Sequence, residues 1–240
     1  MKLAISEVFY SIQGEGPTTG YPAIFVRLGG CNLMCGGMGT QFDKKLHNKA
    51  TWRCDTIEVW MSAMSIPFED ILPLDCLDAL KNGANLIITG GEPLMQQENV
   101  IQFIDYVRGL FPKVYIEIET NGTVMPNDTL LEKVNQWNCS PKLTNSGNDI
   151  SIIFKKEVLH VLDKFNTAFK LVVTTIKDWQ EIEEMYLPLI NKDKVWLMPS
   201  GENQELLNQS KQIVAEICKE NYIKFTNRLH IEIWNKKTGV

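Results

Sequence analysis

An α/β fold, an incomplete barrel of mainly parallel strands, is predicted by three features of the sequence. Strand-length apolar runs alternate with helix-length segments along most of the chain, the pattern of right-handed strand–helix–strand units. The number of such units suits a partial barrel and falls short of a closed eight-fold one. Cys31, Gly90, Thr120 and Pro199 each fall at the C-terminal end of a separately read strand. They therefore converge on the mouth where barrels of this kind place their chemistry.

The elements follow in order. Ala23-Ile24-Phe25-Val26-Arg27-Leu28 reads as a buried strand that delivers Cys31 at its end. Further strands are predicted over 85–89, 114–119, 169–174 and 195–198. Helices are predicted over 74–81, 98–110, 128–135, 157–163, 178–189 and 203–220. No linker or change of composition divides the 240 residues, so a single domain, 1–240, is expected.

Composition narrows the function. A net charge of −5 provides no electrostatic footprint for nucleic acid or an anionic membrane, which leaves a small-molecule substrate. The longest apolar runs, such as Phe169-Lys170-Leu171-Val172-Val173, are strand-length and far short of a bilayer span. The opening Met1-Lys2-Leu3-Ala4-Ile5-Ser6-Glu7 reaches an acid before any signal-peptide core forms. A cytoplasmic location is expected, and with it six cysteines that are free or metal-bound rather than paired.

Three of those cysteines stand close together in sequence. Gly29-Gly30-Cys31-Asn32-Leu33-Met34-Cys35 is closed later by Trp52-Arg53-Cys54-Asp55-Thr56. Three thiolates can hold three irons of a [4Fe–4S] cluster and leave the fourth open, whereas four cysteine ligands usually make a carrier of electrons only. Zinc is the competing reading, with His47 or Cys76 completing the set. Packing of small buried thiols is the plainest one, but it explains little in a polar, glycine-bordered loop. Ile87-Ile88-Thr89-Gly90-Gly91-Glu92-Pro93 supplies a strand ending in a turn. Its glycines permit close approach of a ligand to the backbone, although the same residues are ordinary turn punctuation.

Together these segments resemble the radical S-adenosylmethionine (SAM) superfamily, and the fold implied is that superfamily's partial TIM-like barrel. Its cysteines usually come as Cys-x-x-x-Cys-x-x-Cys. Here the first pair keeps the spacing, and an insertion over about 36–53, containing Gly36, Gly37, Gly39, Lys44, Lys45 and His47, delays the third. Cys54 is chosen over Cys76, Cys139 and Cys218 because Trp52-Arg53-Cys54-Asp55-Thr56 is similar to the family ending Trp-x-Cys-Asp-Thr. The resemblance further implies SAM binding by Gly90, Gly91 and Glu92, by Glu119 and Asn121 of Glu119-Thr120-Asn121-Gly122, and by Ser140 and Lys142 of Ser140-Pro141-Lys142.

Both ends of the chain carry the subfamily. Phe9-Tyr10-Ser11-Ile12-Gln13-Gly14-Glu15-Gly16 and the tail Arg228-Leu229-His230-Ile231-Glu232-Ile233-Trp234-Asn235-Lys236-Lys237-Thr238-Gly239-Val240, which begins to separate from about 221, resemble segments of 7-carboxy-7-deazaguanine synthases. A carboxylated pterin needs a cation, which Arg27 offers as a bidentate fork. Gln13 and Glu15, about Gly14, offer donors and acceptors for the ring edges. Asp55 and His230 complete the expected substrate set. Thr56 suits Mg²⁺, which prefers oxygen ligands and commonly keeps waters. The tail is expected to fold over the barrel mouth.

One departure stands out: Leu197-Met198-Pro199 replaces the Leu-Gln-Pro of several relatives, with Gly201-Glu202-Asn203 nearby. The implied reaction draws one electron from an external donor such as flavodoxin. A 5′-deoxyadenosyl radical then takes hydrogen from C6 of 6-carboxy-5,6,7,8-tetrahydropterin, and ring contraction with loss of ammonia gives 7-carboxy-7-deazaguanine. A homodimer is implied as well. A glycyl-radical-enzyme activase, or a non-catalytic zinc or iron–sulfur module, is the alternative function.

Overall fold

The computed structural model describes residues 1–237 and 239; Thr238 and Val240, at the end of the tail motif, lie outside the described residues. The backbone is organised by one sheet with the strands β1 (Lys2–Ile12), β2 (Pro22–Leu28), β3 (Met64–Pro67), β4 (Asn85–Gly90), β5 (Ile116–Thr120), β6 (Gln136–Cys139), β7 (Thr167–Val173), β8 (Val195–Pro199) and β9 (Lys224–Phe225). Their order is β3-β1-β2-β4-β5-β6-β7-β8-β9, an open sheet whose two ends do not pair. Every pairing from β2 to β9 is parallel. β1 runs antiparallel to both β2 and β3, with an irregularity between Ile5 and Glu7.

The strands form where apolar side chains can be buried. β2 buries Ala23, Ile24, Phe25, Val26 and Leu28, and β4 buries Leu86, Ile87 and Ile88. Such near-continuous runs are expected of parallel strands covered on both faces. Helix Gln97–Leu110 turns Val100, Ile101, Phe103, Ile104 and Val107 to the core, the three- and four-residue spacing of an amphipathic helix. Helix Gln204–Asn221 starts at Asn203, whose side chain accepts the Leu206 N–H at 2.9 Å, satisfying one of the unpaired first-turn amides. Asn203 is thus occupied in capping.

Helix Leu74–Lys81 lies over its predicted span. The helix predicted over 178–189 is Ile176–Glu181 followed by a π-helical turn, Ile182–Tyr186. β1, β3, β6 and β9 are strands that the sequence reading did not assign. β6 is the instructive one: Gln136, Trp137, Asn138 and Cys139 are all buried, and the side-chain amide nitrogens of Gln136 and Asn138 find partners inside. Gln136 Nε2 donates to the Trp137 carbonyl at 2.8 Å and Asn138 Nδ2 to Glu117 at 2.7 Å. Among the described residues no helix is long and apolar enough to cross a membrane.

Candidate active site

A cavity of about 780 Å³ opens at the C-terminal ends of the parallel strands, and Cys31, Gly90, Thr120 and Pro199 all line it. The four strand ends therefore meet as expected. Cys31 follows β2, and the loop is held against the end of β4: Gly91 N–H donates to the Leu28 carbonyl at 3.2 Å and Glu92 N–H to the Gly30 carbonyl at 2.9 Å. A Cβ on Gly91 would stand 2.0 Å from the Gly30 oxygen and 2.7 Å from the Cys31 Cβ. Only glycine lets the two loops come this close.

The interrupted cysteine motif closes on itself in space. The chain leaves at Cys35, makes a short helical turn at Thr40–Asp43, and returns so that Cys54 N–H donates to the Cys35 carbonyl at 3.1 Å. The excursion is anchored on both sides. Gly36 N–H donates to the Ser146 carbonyl and Thr51 N–H to the Asn145 carbonyl, each at 2.9 Å, and Trp52 Nε1 donates to Asn145 Oδ1 at 2.9 Å. Arg53 is drawn to Thr40 and to Glu58, at 3.0 and 2.6 Å. Cys31, Cys35 and Cys54 then pack around Leu33, Trp52 and Ile153, and all three line the cavity.

Burial pushes the Cys31 thiol up to about 11 and the Cys35 thiol to about 12, so a thiophilic metal must displace their protons to bind. The donor set of three sulfurs and no carboxylate suits iron–sulfur chemistry. Zinc's completing ligands are elsewhere. His47 is bonded to Asp43 at 3.0 Å, and Cys76 is packed in the main core. Among the described residues no three His, Cys, Asp or Glu side chains are grouped as ligands of a single ion.

Gly90, Gly91, Glu119, Asn121, Ser140 and Lys142 line the same cavity. Lys142 Nζ donates to the Ser140 hydroxyl at 2.7 Å and lies 5.9 Å from the Trp52 ring centroid. Asn121 Nδ2 donates to Asn32 at 2.9 Å, tying β5 to the cysteine loop. The carboxylate of Glu92 is taken up within the fold. Its side chain is fully buried and its carboxylate accepts from Leu94 N–H, the Thr120 hydroxyl and Asn121 N–H at 3.1, 2.9 and 2.7 Å. It staples β4 to β5, and only its backbone remains for a ligand.

The other flank holds Gln13, Gly14, Glu15, Arg27, Asp55, Thr56 and His230. Leu229 N–H donates to the Gly14 carbonyl at 2.9 Å, and a Cβ on Gly14 would meet His230 Nδ1 at 2.2 Å. The tail is thus laid across the N-terminal signature at the mouth. Burial, with Arg228 beside it, lowers the His230 pKa below its ordinary value, so at neutral pH it is an uncharged imidazole with one donor and one acceptor. Arg27 gives its Nε to Glu7 at 2.7 Å and lines the cavity. Met198 also lines the cavity, as do Gly201 and Glu202.

Two cations that the sequence reading did not select organise this flank. Lys170, in the middle of β7 and 2% exposed, donates to Glu15 at 2.9 Å and Glu119 at 3.3 Å. Arg228 bridges Glu15 at 3.0 Å, Asp55 at 2.6 Å and the Gly201 carbonyl at 2.6 Å. Burial alone would raise the carboxylates, but Lys170 and Arg228 outweigh it and hold Glu15 well below the usual range; Lys170 lowers Glu119 and Arg228 lowers Asp55. Gln13, buried, donates to Glu119 at 3.3 Å and receives Glu15 N–H at 3.1 Å. The signal for Lys170 was a lysine inside an apolar strand; for Arg228 it was a cation next to the selected histidine.

An open, mainly parallel sheet whose strand ends gather three cysteines and a Gly-Gly-Glu-Pro turn defines a radical SAM enzyme with an iron–sulfur centre. A 4Fe-4S single cluster domain model matches residues 12–133. Over nearly the whole chain, the sequence is similar to 7-carboxy-7-deazaguanine synthases from Halobacterium salinarum (29% identical, covering 97% of this chain and 91% of that one), Aquifex aeolicus (31%, 92% and 88%) and Rickettsia prowazekii (33%, 95% and 87%). The crystal structure of QueE from Escherichia coli has the same fold, with a TM-score of 0.65 at 24% identity over 96% of this chain and 95% of that one. The chain belongs to the 7-carboxy-7-deazaguanine synthase family.

The Gly91 contact makes a prediction. Gly91→Ala is expected to force the cysteine loop and the β4 turn apart, lowering iron content and SAM affinity by about tenfold or more. Gly109, in helix Gln97–Leu110, has nothing within 4 Å of a built Cβ. Gly109→Ala is expected to leave both unchanged and to stabilise by about 0.5–1 kcal/mol. Iron assay and SAM titration of the two variants, side by side, check this.

Proposed function

We propose that Cys31, Cys35 and Cys54 hold the [4Fe–4S] cluster, that SAM lies over Gly90, Gly91, Glu119, Asn121, Ser140 and Lys142 with Glu92 contributing its backbone, and that the pterin is bound by Gln13, Gly14, Glu15, Arg27, Asp55 and His230. The activity is that of the family: a radical SAM lyase forming 7-carboxy-7-deazaguanine in 7-deazapurine biosynthesis. The observation that carries the residue assignment is the meeting of three thiols from two separated segments at the glycine turn of β4, inside one cavity.

When bound, the cluster and SAM supply the radical chemistry. The chain's own groups bind, orient and shield. Ser140 and Lys142 offer a hydroxyl and an ammonium to a carboxylate, and the carbonyl groups of the β4 turn accept protons from an amino group. Arg27 offers two terminal N–H groups to the substrate carboxylate. Glu15 and Asp55 are ionised and fixed by Lys170 and Arg228, so they can accept N–H groups of a pterin without moving. Arg228, His230 and Ile231 of the tail line the mouth and keep bulk water from the reacting carbon.

Thr56 is proposed as a Mg²⁺ ligand. Its hydroxyl is 3.3 Å from the Cys54 sulfur, and an O–H turned to sulfur still leaves oxygen lone pairs for a cation. Thr56→Ala is expected to lower the Mg²⁺ stimulation of product formation by about tenfold, with SAM cleavage in the absence of pterin preserved. Thr56→Ser is expected to retain the stimulation. Product formation that ignores removal of all divalent ions would contradict the role. An external one-electron carrier such as flavodoxin and a homodimeric state complete the proposal, with residues 36–53 and the tail as parts of a single cytoplasmic domain.

A further inference from the structure

Two of the three cysteine sulfurs have a side-chain hydrogen-bond partner, and the two partners differ in origin. Cys54 lies 3.3 Å from the hydroxyl of Thr56, two residues on. Cys35 is met at 3.6 Å by Nδ2 of Asn148, 113 residues later in the chain. That last donor is a side chain from a separate segment, placed on a buried sulfur that otherwise packs against Leu33 and Ile153.

The orientation of the Asn148 amide follows from its partners. Met34 N–H needs an acceptor, and Asn148 Oδ1 takes it at 3.0 Å. With Oδ1 so committed, Nδ2 must face the other way, toward the Ser146 hydroxyl at 3.1 Å and the Cys35 sulfur. Segment 145–148 is itself fixed against the excursion, through Gly36 N–H on the Ser146 carbonyl and Gly147 close to Ala50 and His47. The amide therefore holds the Cys31–Cys35 loop with one end and points a donor at its sulfur with the other.

We infer that Asn148 is a positioning residue that raises the reduction potential of the centre held by Cys31, Cys35 and Cys54, by donating Nδ2–H to the Cys35 sulfur. The inference rests on the cluster assignment made above. Hydrogen bonds to ligand sulfurs are among the determinants of iron–sulfur potentials, because a donor favours the form with more negative charge on sulfur. In surroundings as apolar as those of Cys35 the effect is strengthened by the low local dielectric. The consequence is an electron that is easier to place on the centre from a mild carrier.

The test is a spectroelectrochemical titration of anaerobically iron-loaded protein, following the visible absorbance. Asn148→Leu and Asn148→Ala both remove the donor without adding charge. Both are expected to load iron and to titrate at a more negative midpoint than the wild type, whereas Ser151→Ala, whose hydroxyl is bonded to Asp149 and to neither Asn148 nor a cysteine, titrates with the wild type. An unmoved midpoint in either iron-loaded Asn148 variant, or an equal shift in Ser151→Ala, overturns the inference. If Asn148→Leu fails to hold iron, Asn148→Ala is read by the same criterion. A wild-type protein that takes up no iron would instead overturn the cluster assignment, before any potential is measured.

Discussion

Cys54→Ala is expected to lose the iron, the visible absorbance and more than about a hundredfold of SAM cleavage, while Cys76→Ala keeps all three. The spacing of the cysteines alone does not discriminate between them, but the geometry does. Cys54 is brought back to Cys35 by a backbone hydrogen bond at the neck of the 36–53 excursion and lines the cavity. Cys76 is 1% exposed in helix Leu74–Lys81, packed among core residues. Shortening it to alanine costs about 1 kcal/mol as a small cavity and touches no ligand. Iron per chain in the two purified variants is the deciding measurement; a Cys54→Ala protein with full iron would remove Cys54 from the site.

Lys170→Met is expected to destabilise the protein by about 3–5 kcal/mol, because breaking a buried ion pair leaves uncompensated charge. At this chain length that is a fall in Tm of about 10 °C. Glu15 retains Arg228 after the substitution, but Glu119 loses its cation and keeps only the Thr89 hydroxyl and the Gln13 amide. The pH dependence should reverse in sign. In the wild type, Lys170 holds Glu119 below its ordinary pKa, so its contribution is present above that value and lost as pH falls through the lowered one. In the variant, burial without a cation raises Glu119, and the contribution is then lost as pH rises. Melting curves from about pH 5 to about pH 8 should show Lys170→Met losing stability with rising pH relative to wild type. A variant with wild-type Tm and wild-type pH dependence would mean that Lys170 does not neutralise these acids.

Much of this was legible before the structure, and the exceptions have physical causes. β2, β4, β7 and β8 announce themselves because buried parallel strands are almost continuously apolar. β6 does not, since Gln136 and Asn138 look exposed in sequence and are buried with partners that only the fold supplies, the Trp137 carbonyl of the same strand for Gln136 and Glu117 of the neighbouring strand for Asn138. β1 begins the chain and acquires its meaning from pairing on both edges with β2 and β3. The choice of Cys54 came from the residues around it, whereas the bond that returns Cys54 to Cys35 is a property of the folded loop. Glu92 was singled out as part of a glycine turn read for its backbone, and the use of its carboxylate to staple two strands is visible only in the fold. Arg228 and Lys170 were passed over because each becomes informative only when its acidic partners, distant in sequence, arrive beside it.

The most direct test of the functional assignment is anaerobic incubation of the iron-loaded protein with SAM, dithionite, Mg²⁺ and 6-carboxy-5,6,7,8-tetrahydropterin, followed by mass analysis of the product and assay of ammonia. 7-Carboxy-7-deazaguanine is expected, with one ammonia released per product formed. Cleavage of SAM to 5′-deoxyadenosine with the pterin recovered unchanged would contradict the assignment.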